Sequence, residues 1–252
     1  MQYQGGKFQI AKPLCAFLER MRDPGQLSVE PFLGGCNIFP RMRLPKLGSD
    51  VLPDLALLYR AVRDGWDPPE EVSEELWREL KHAEPSALRA FAGFACSFGG
   101  KWFGGYASVR KSGQHYARNG RNRLLADRAG LQRADIHCAT YDELDIPDGA
   151  LVYCDPPYAG TCGYLATVDF DHGRFWAWVE ALGPRAYVYV SEYSAPEGFE
   201  EAWSIDRLMR MRRHGPCETR TGRLFTCGLG LERAIARAMQ QRTLWGRGLD
   251  LG

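Results

Sequence analysis

Leu27-Ser28-Val29-Glu30 runs straight into Pro31-Phe32-Leu33-Gly34-Gly35. A short strand that delivers the chain into a glycine-rich turn is the usual opening of a nucleotide-binding α/β unit. Working outward from it, a second short strand near Leu47-Gly48-Ser49 ends at Asp50. Pro53–Val62 then reads as a helix with Leu55, Leu58, Tyr59 and Val62 on one face. Far downstream the pattern resumes. Ala150-Leu151-Val152-Tyr153-Cys154 is an apolar strand ending at Asp155-Pro156-Pro157-Tyr158, and Asp171–Leu182 is an amphipathic helix with Phe175, Trp178, Val179 and Leu182 at helical spacing. Ala186–Val190 is another buried strand, Ile205–Arg212 and Arg223–Cys227 form a closing hairpin, and Leu231–Leu244 is a terminal helix. Strands alternating with helices predict an α/β fold with a mainly parallel sheet, the hairpin adding an antiparallel edge.

Between the two halves the pattern changes. Asp64-Gly65-Trp66-Asp67-Pro68-Pro69 breaks the helix and marks a boundary. Helices over Glu70–His82 and Pro85–Cys96 follow. Phe98-Gly99-Gly100-Lys101-Trp102-Phe103-Gly104-Gly105-Tyr106 is too glycine-rich for a regular helix and predicts an ordered loop. A further helix is predicted around Asn119–Ala129. The organisation is therefore residues 1–64 and 134–230 as one α/β domain, 65–133 as a mostly helical insertion, and 231–252 as a terminal helix and tail.

The chain of 252 residues has net charge +1, but the charge is uneven. From Gly99 to Arg133 eight Lys or Arg residues stand against one acid, Asp127, which leaves the rest of the chain net acidic. A basic insert on an acidic body is the footprint of a phosphate backbone, or of a solvated surface whose acids lie elsewhere. No apolar run reaches the roughly eighteen residues of a membrane span, and the N-terminus lacks the pattern of a secretory signal. The eight cysteines show no C-x-x-C pair, so neither a zinc site nor any other metal is expected. These features suggest a cytoplasmic protein.

Asp155-Pro156-Pro157-Tyr158 carries the most chemistry. Ligands of open α/β sheets bind beyond the carboxyl ends of the strands. An acid and a proline carbonyl placed there suit methylation of an exocyclic amine, a weak nucleophile whose lone pair is delocalised into the ring. Asp155 accepts from one N–H, the Pro156 carbonyl accepts from the other, and Pro156 and Pro157 fix the backbone between them. Tyr158 offers a ring for an extruded base to stack on. Taken alone, the motif is equally an Asp-Pro turn closing a strand.

Its neighbours distinguish the two. Tyr3-Gln4-Gly5-Gly6-Lys7, Glu30-Pro31-Phe32-Leu33-Gly34-Gly35-Cys36-Asn37-Ile38-Phe39, Ser49-Asp50-Val51-Leu52-Pro53-Asp54-Leu55 and Tyr153-Cys154-Asp155-Pro156-Pro157-Tyr158 stand in that order. Together they resemble the Dam-like family of DNA adenine-N6 methyltransferases, its phage-encoded members in particular. The resemblance implies a Rossmann-like S-adenosyl-L-methionine-dependent methyltransferase sheet carrying a DNA target-recognition insert. It implies that Tyr3, Gly6, Lys7, Glu30, Phe32, Gly34, Gly35, Asp50 and Asp155 bind the cofactor. Asp50 would hold the ribose, Lys7 the methionine carboxylate, and Gly34 and Gly35 would let backbone approach. Two departures stand out: Cys36 replaces the last glycine of the family's loop, and His137-Cys138-Ala139-Thr140-Tyr141 stands where relatives often carry an acid near the cofactor adenine.

Double-stranded DNA is the implied partner, with the target base flipped out of the helix. Lys101, Trp102, Arg110, Lys111, Arg118, Arg121 and Arg123 are the candidate DNA contacts, to phosphates or to guanine edges. Arg207, Arg210, Arg212, Arg213, Arg220 and Arg223 form a second basic group on the hairpin. The rival expectations are another amine target, such as cytosine N4, RNA adenine or protein glutamine, and a non-catalytic DNA-binding relative. The DNA recognition sequence, the oligomeric state and the existence of a partner endonuclease are not encoded legibly.

Overall fold

A computed structural model describes residues 1–107, 113–159, 170–210 and 217–247, and the side chains among them other than those of 207–210, 217–220 and 241–247. Seven strands form one sheet: β1 (Ser28–Glu30), β2 (Lys46–Asp50), β3 (Asp135–Cys138), β4 (Leu151–Cys154), β5 (Tyr187–Ser191), β6 (Glu200–Arg210) and β7 (Cys217–Thr226). Their order is β3-β2-β1-β4-β5-β7-β6. The first five run parallel, with Val29 opposite both Leu47 and Val152, while β7 joins β5 antiparallel. Strand order therefore reverses between β1 and β4, and their carboxyl ends flank the crevice where ligands of open α/β sheets bind.

The helices are α1 (Ala11–Met21), α2 (Pro53–Arg63), α3 (Glu74–Lys81), α4 (Ala87–Ala95), α5 (Tyr116–Leu131), α6 (His172–Leu182) and α7 (Gly228–Arg247). Ser73, Ser86 and Asp171 cap α3, α4 and α6, each accepting a backbone N–H three residues on. Two elements go beyond the sequence expectation. Helix α1 buries Leu14, Leu18 and Met21 on one face, a helical spacing that was legible. Strand β3 buries only Ile136 among exposed neighbours, so its apolar pattern gives no signal. The hairpin is longer than expected, because β6 and β7 pair from Glu200↔Thr226 to Arg210↔Cys217.

Tyr153 and Tyr189 pack with α1 on one side of the sheet, while Val152 and Val188 pack with Phe175 and Val179 of α6 on the other. Among the described residues, the insertion shares its core with the sheet. Trp77, Phe91, Phe94 and Leu124 join Leu33, Phe39, Leu55 and Tyr59 in one cluster. Two buried charges lock the insertion to the sheet. Asp54 on α2 accepts from the Ser86 N–H at 3.1 Å and from Arg89 Nη1 at 2.8 Å. Lys46 on β2 donates to the carbonyls of Phe39 (2.8 Å), Met42 (2.9 Å) and Gly130 (2.5 Å), the last on α5.

Candidate active site

Three segments meet at the crevice. The first is the turn after β1. Gly34 sits at φ +43°, and an added Cβ would lie 3.1 Å from the Tyr3 ring; at Gly35 it would lie 2.7 Å from both Tyr3 Cβ and Asn37 Nδ2. Cys36, which stands where the family carries glycine, keeps a glycine-type backbone at φ +51°. A non-glycine residue in this left-handed region costs about 1–2 kcal/mol in backbone strain. Phe32 lies half-buried beside this turn, stacked on Tyr141 at 5.6 Å between ring centroids.

The second segment is the end of β2. Asp50 Oδ2 accepts from the Gly34 N–H at 2.8 Å and Oδ1 from the Leu52 N–H at 2.9 Å. Each oxygen keeps a lone pair for a further donor. Burial raises the Asp50 carboxyl to about 6 against the lowering effect of those two N–H groups. A buried acid beside a glycine turn whose side-chain space is already filled by Tyr3 fits the ribose and backbone contacts of a nucleoside cofactor.

The third segment is the turn after β4. Asp155 Oδ1 accepts from Lys7 Nζ at 2.5 Å, and the same ammonium lies 4.5 Å from the centroid of the Tyr158 ring. Burial works against the Lys7 charge, but Asp155 and Tyr158 outweigh it and the net shift is upward. Burial raises the Asp155 carboxyl, opposed by Lys7. The segment around Tyr3 and Lys7 thus touches both sides of the crevice, its ring on Gly34 and its ammonium on Asp155. Lys7, expected to reach a cofactor carboxylate, donates here to Asp155, the catalytic candidate. Glu30 is buried at the end of β1, where desolvation and then the Asp155 charge push its carboxyl well up, opposed by Lys46 and Lys7. Gly6 is half-buried on a turn in which its N–H donates to the Tyr3 carbonyl at 3.1 Å.

The insertion meets this site through its glycine-rich loop. The Gln4 N–H donates to the Gly100 carbonyl at 3.2 Å, and an added Cβ at Gly100 would lie 2.6 Å from the Tyr3 nitrogen. Trp102 is half-buried, 4.7 Å from Phe94 and 4.8 Å from Phe103, so its indole is a packing group in this structure. Lys101 is exposed beside it. Much of the basic character is internally balanced. Arg121 reaches Asp67 at 3.4 Å and Glu70 at 3.9 Å, and Arg118 reaches Glu70 at 3.4 Å. Arg123 lies over the exposed Phe8 ring at 4.7 Å. Arg110 and Lys111, like Arg212 and Arg213, lie outside the described residues. On the hairpin, Arg207 stands opposite Arg220 in register, and Arg223 pairs with Glu201 at 3.4 Å. Among the described residues no group of His, Cys, Asp and Glu is arranged to hold a metal ion, and no helix is long and apolar enough to cross a membrane.

Sequence reasoning missed Ser191 and Glu192. The Ser191 and Tyr158 hydroxyls share a 2.6 Å hydrogen bond, and Glu192 Oε1 accepts from the Ala159 N–H at 2.7 Å. Polar residues directly after an apolar strand were the available signal.

A parallel sheet that reverses between β1 and β4, with an antiparallel pair at the β5 edge, is a Rossmann-like α/β fold. The family model of the D12 class N6 adenine-specific DNA methyltransferases matches residues 3–92. The chain is 25% identical over 184 residues to the DNA adenine methylases of two Vibrio cholerae O1 strains, Ogawa O395 and El Tor N16961, covering 63% of this chain. The chain spans 64% of the length of those relatives. Among solved structures, an rRNA methylase from Streptococcus thermophilus aligns over 86% of this chain and 96% of its own, with 9% identity and a TM-score of 0.36.

Proposed function

We propose that this chain transfers the methyl group of S-adenosyl-L-methionine to the N6 amino group of adenine in double-stranded DNA, acting on a base turned out of the duplex. One observation carries the proposal: Asp155 is held by Lys7 at the end of β4, across the strand-order switch from the Gly34–Asp50 turn. The cofactor, when bound, supplies an electrophilic methyl group on a positively charged sulfur. Asp50 accepts from the ribose hydroxyls, and Gly34 and Gly35 let backbone come close. Phe32 lines the cofactor side, with Tyr3 filling the space beneath the glycines.

Adenine N6 is a poor nucleophile because its lone pair is shared with the ring. Asp155 accepts from one of its N–H groups and the Pro156 carbonyl from the other, which directs the lone pair out of the ring plane. Both acceptors are fixed before the base arrives, so they stabilise the transition state without reorganising. Tyr158 stacks on the everted base, which offsets part of the few kcal/mol that eversion costs. The insertion and the basic residues of the hairpin grip the phosphates, Lys101 being an exposed cation on the glycine-rich loop. Free cysteines and a DNA substrate suit a cytoplasmic setting.

The test is expression in a host lacking adenine methylation, followed by nucleoside mass analysis and genome sequencing for modified bases. The wild type should yield N6-methyladenine at defined sites. Asp155→Ala should yield none while still retarding duplex DNA. Methyl groups found on cytosine, on RNA or on protein, or full turnover by Asp155→Ala, would refute the assignment.

A further inference from the structure

Strands β4 and β5 pair in register up to Cys154↔Val190 and then leave the sheet side by side. Asp155-Pro156-Pro157-Tyr158 follows the first, and Ser191-Glu192-Tyr193 completes and follows the second. Every residue of the tripeptide engages the Tyr158 turn. Ser191 Oγ and Tyr158 Oη share a hydrogen bond of 2.6 Å. Glu192 Oε1 accepts from the Ala159 N–H at 2.7 Å, while Oε2 accepts from the Tyr193 N–H at 2.6 Å. The Tyr193 ring stands perpendicular to the Tyr158 ring, 4.7 Å between centroids and 89° between planes.

Glu192 is only 3% exposed. A buried carboxylate is costly unless its oxygens are hydrogen-bonded, and here both oxygens are used on backbone. Glu192 therefore ties the peptide just past Tyr158 to the peptide just past β5. The far side is braced as well. Arg223 of β7 donates to the Tyr193 carbonyl at 3.3 Å and pairs with Glu201 of β6 at 3.4 Å. Tyr158 is thereby bounded by Lys7 over its ring, Tyr193 with its ring perpendicular to it, and Ser191 at its hydroxyl. Among the described residues, the Ser191 side chain bonds to Tyr158 and the Glu192 side chain to the Ala159 and Tyr193 N–H groups, and neither bonds to Gly34 or Asp50.

We propose that Ser191-Glu192-Tyr193 is a positioning platform that sets the conformation of the catalytic turn, governing the rate of methyl transfer and not the affinity for cofactor. The proposal rests on Asp155–Tyr158 being the catalytic turn. Positioning matters because a displacement of about 1 Å at a reacting centre costs on the order of a hundredfold in rate. Ser191 and Glu192 are positioning residues, since they act through Tyr158 and Ala159.

The experiment measures kcat for transfer of labelled methyl groups to genomic DNA from a host lacking adenine methylation, alongside calorimetric Kd for S-adenosyl-L-methionine. Glu192→Ala should lower kcat roughly 10- to 100-fold, the size of a lost hydrogen bond to a charged group. Its cofactor Kd should stay within about twofold of wild type, which separates transition-state from ground-state effects. Glu192→Gln, whose amide oxygen still accepts from Ala159, should recover most of the rate. Ser191→Ala and Tyr158→Phe should each cost roughly 2- to 10-fold, and the double variant should lose less than the product of the two singles, because the Ser191–Tyr158 bond is lost in each. Ser191→Ala removes only a hydroxyl, so the test stands even where Glu192→Ala does not fold. Unchanged kcat in both Glu192→Ala and Ser191→Ala, cofactor affinity falling in step with rate, or multiplicative losses in the double variant overturn the platform alone. A wild-type protein that transfers no methyl group to adenine overturns the functional proposal beneath it.

Discussion

Replacing Lys7 by Met removes the cation that stands 2.5 Å from Asp155 and leaves its carboxylate in a crevice where burial already raises its pKa. An opposite charge at such range holds an acid down by about 1–3 units. Lys7→Met should therefore move the Asp155 titration upward by that amount. The sign follows from the chemistry, because only the ionised carboxylate offers its full acceptor capacity to the adenine amine. The acid limb of the pH–rate profile should shift to higher pH by about 1–3 units, with the rate at a fixed pH on that limb falling about tenfold per unit. Breaking a buried pair costs about 3–5 kcal/mol when the survivor stays charged. Here uptake of a proton by Asp155 limits that loss, so the variant should fold and regain rate as pH rises. Methyl transfer to unmethylated genomic DNA at saturating cofactor, from pH 5.5 to about 9.5, provides the assay, spanning the range over which such shifts occur. Lys7→Arg, which keeps the charge, is the control. An acid limb that stays in place in Lys7→Met, or equal losses at every pH in both variants, would refute the reasoning.

Two further predictions concern the other buried acids. Burial raises Asp50 to about 6, and a protonated acid is a poorer acceptor for ribose hydroxyls. Cofactor affinity should accordingly weaken up to about tenfold per unit as pH falls below about 6, and Asp50→Asn should bind weakly with a flat profile; calorimetry showing constant wild-type affinity from pH 5 to 8 would contradict this. Asp54→Ala strips the carboxylate from Arg89 and from the Ser86 N–H. It should cost about 3–5 kcal/mol in denaturant unfolding, and a loss under about 1 kcal/mol would show that the pair does not anchor the insertion.

The legible part of the fold was the part built from apolar strands and amphipathic helices. Burial on both faces makes Leu151–Cys154 and Tyr187–Ser191 read as continuous apolar runs. The helical periods of α2 and α6 announce themselves likewise. Strand β3 was not legible, since an edge strand exposes most of its side chains. The site shows the same division. Motif order named Asp50 and Asp155, and the glycines marked a tight turn. The basic count over Gly99–Arg133 overstated the free charge, because the acids that neutralise Arg118 and Arg121 lie at Asp67 and Glu70, before that window.

The sequence by itself determined the alternation of elements, the glycine- and proline-marked turns at two strand ends, and the residue types offered to a ligand. These depend on local periodicity and backbone preference, which neighbours along the chain decide. Only the tertiary structure decided that Lys7 pairs with Asp155 across 148 positions, that Glu192 and Ser191 hold the Tyr158 turn, and that Trp102 packs inward. Those are facts of burial and charge between distant segments. The energy of a buried ion pair or hydrogen bond is set by what surrounds it, and a linear pattern does not carry that information.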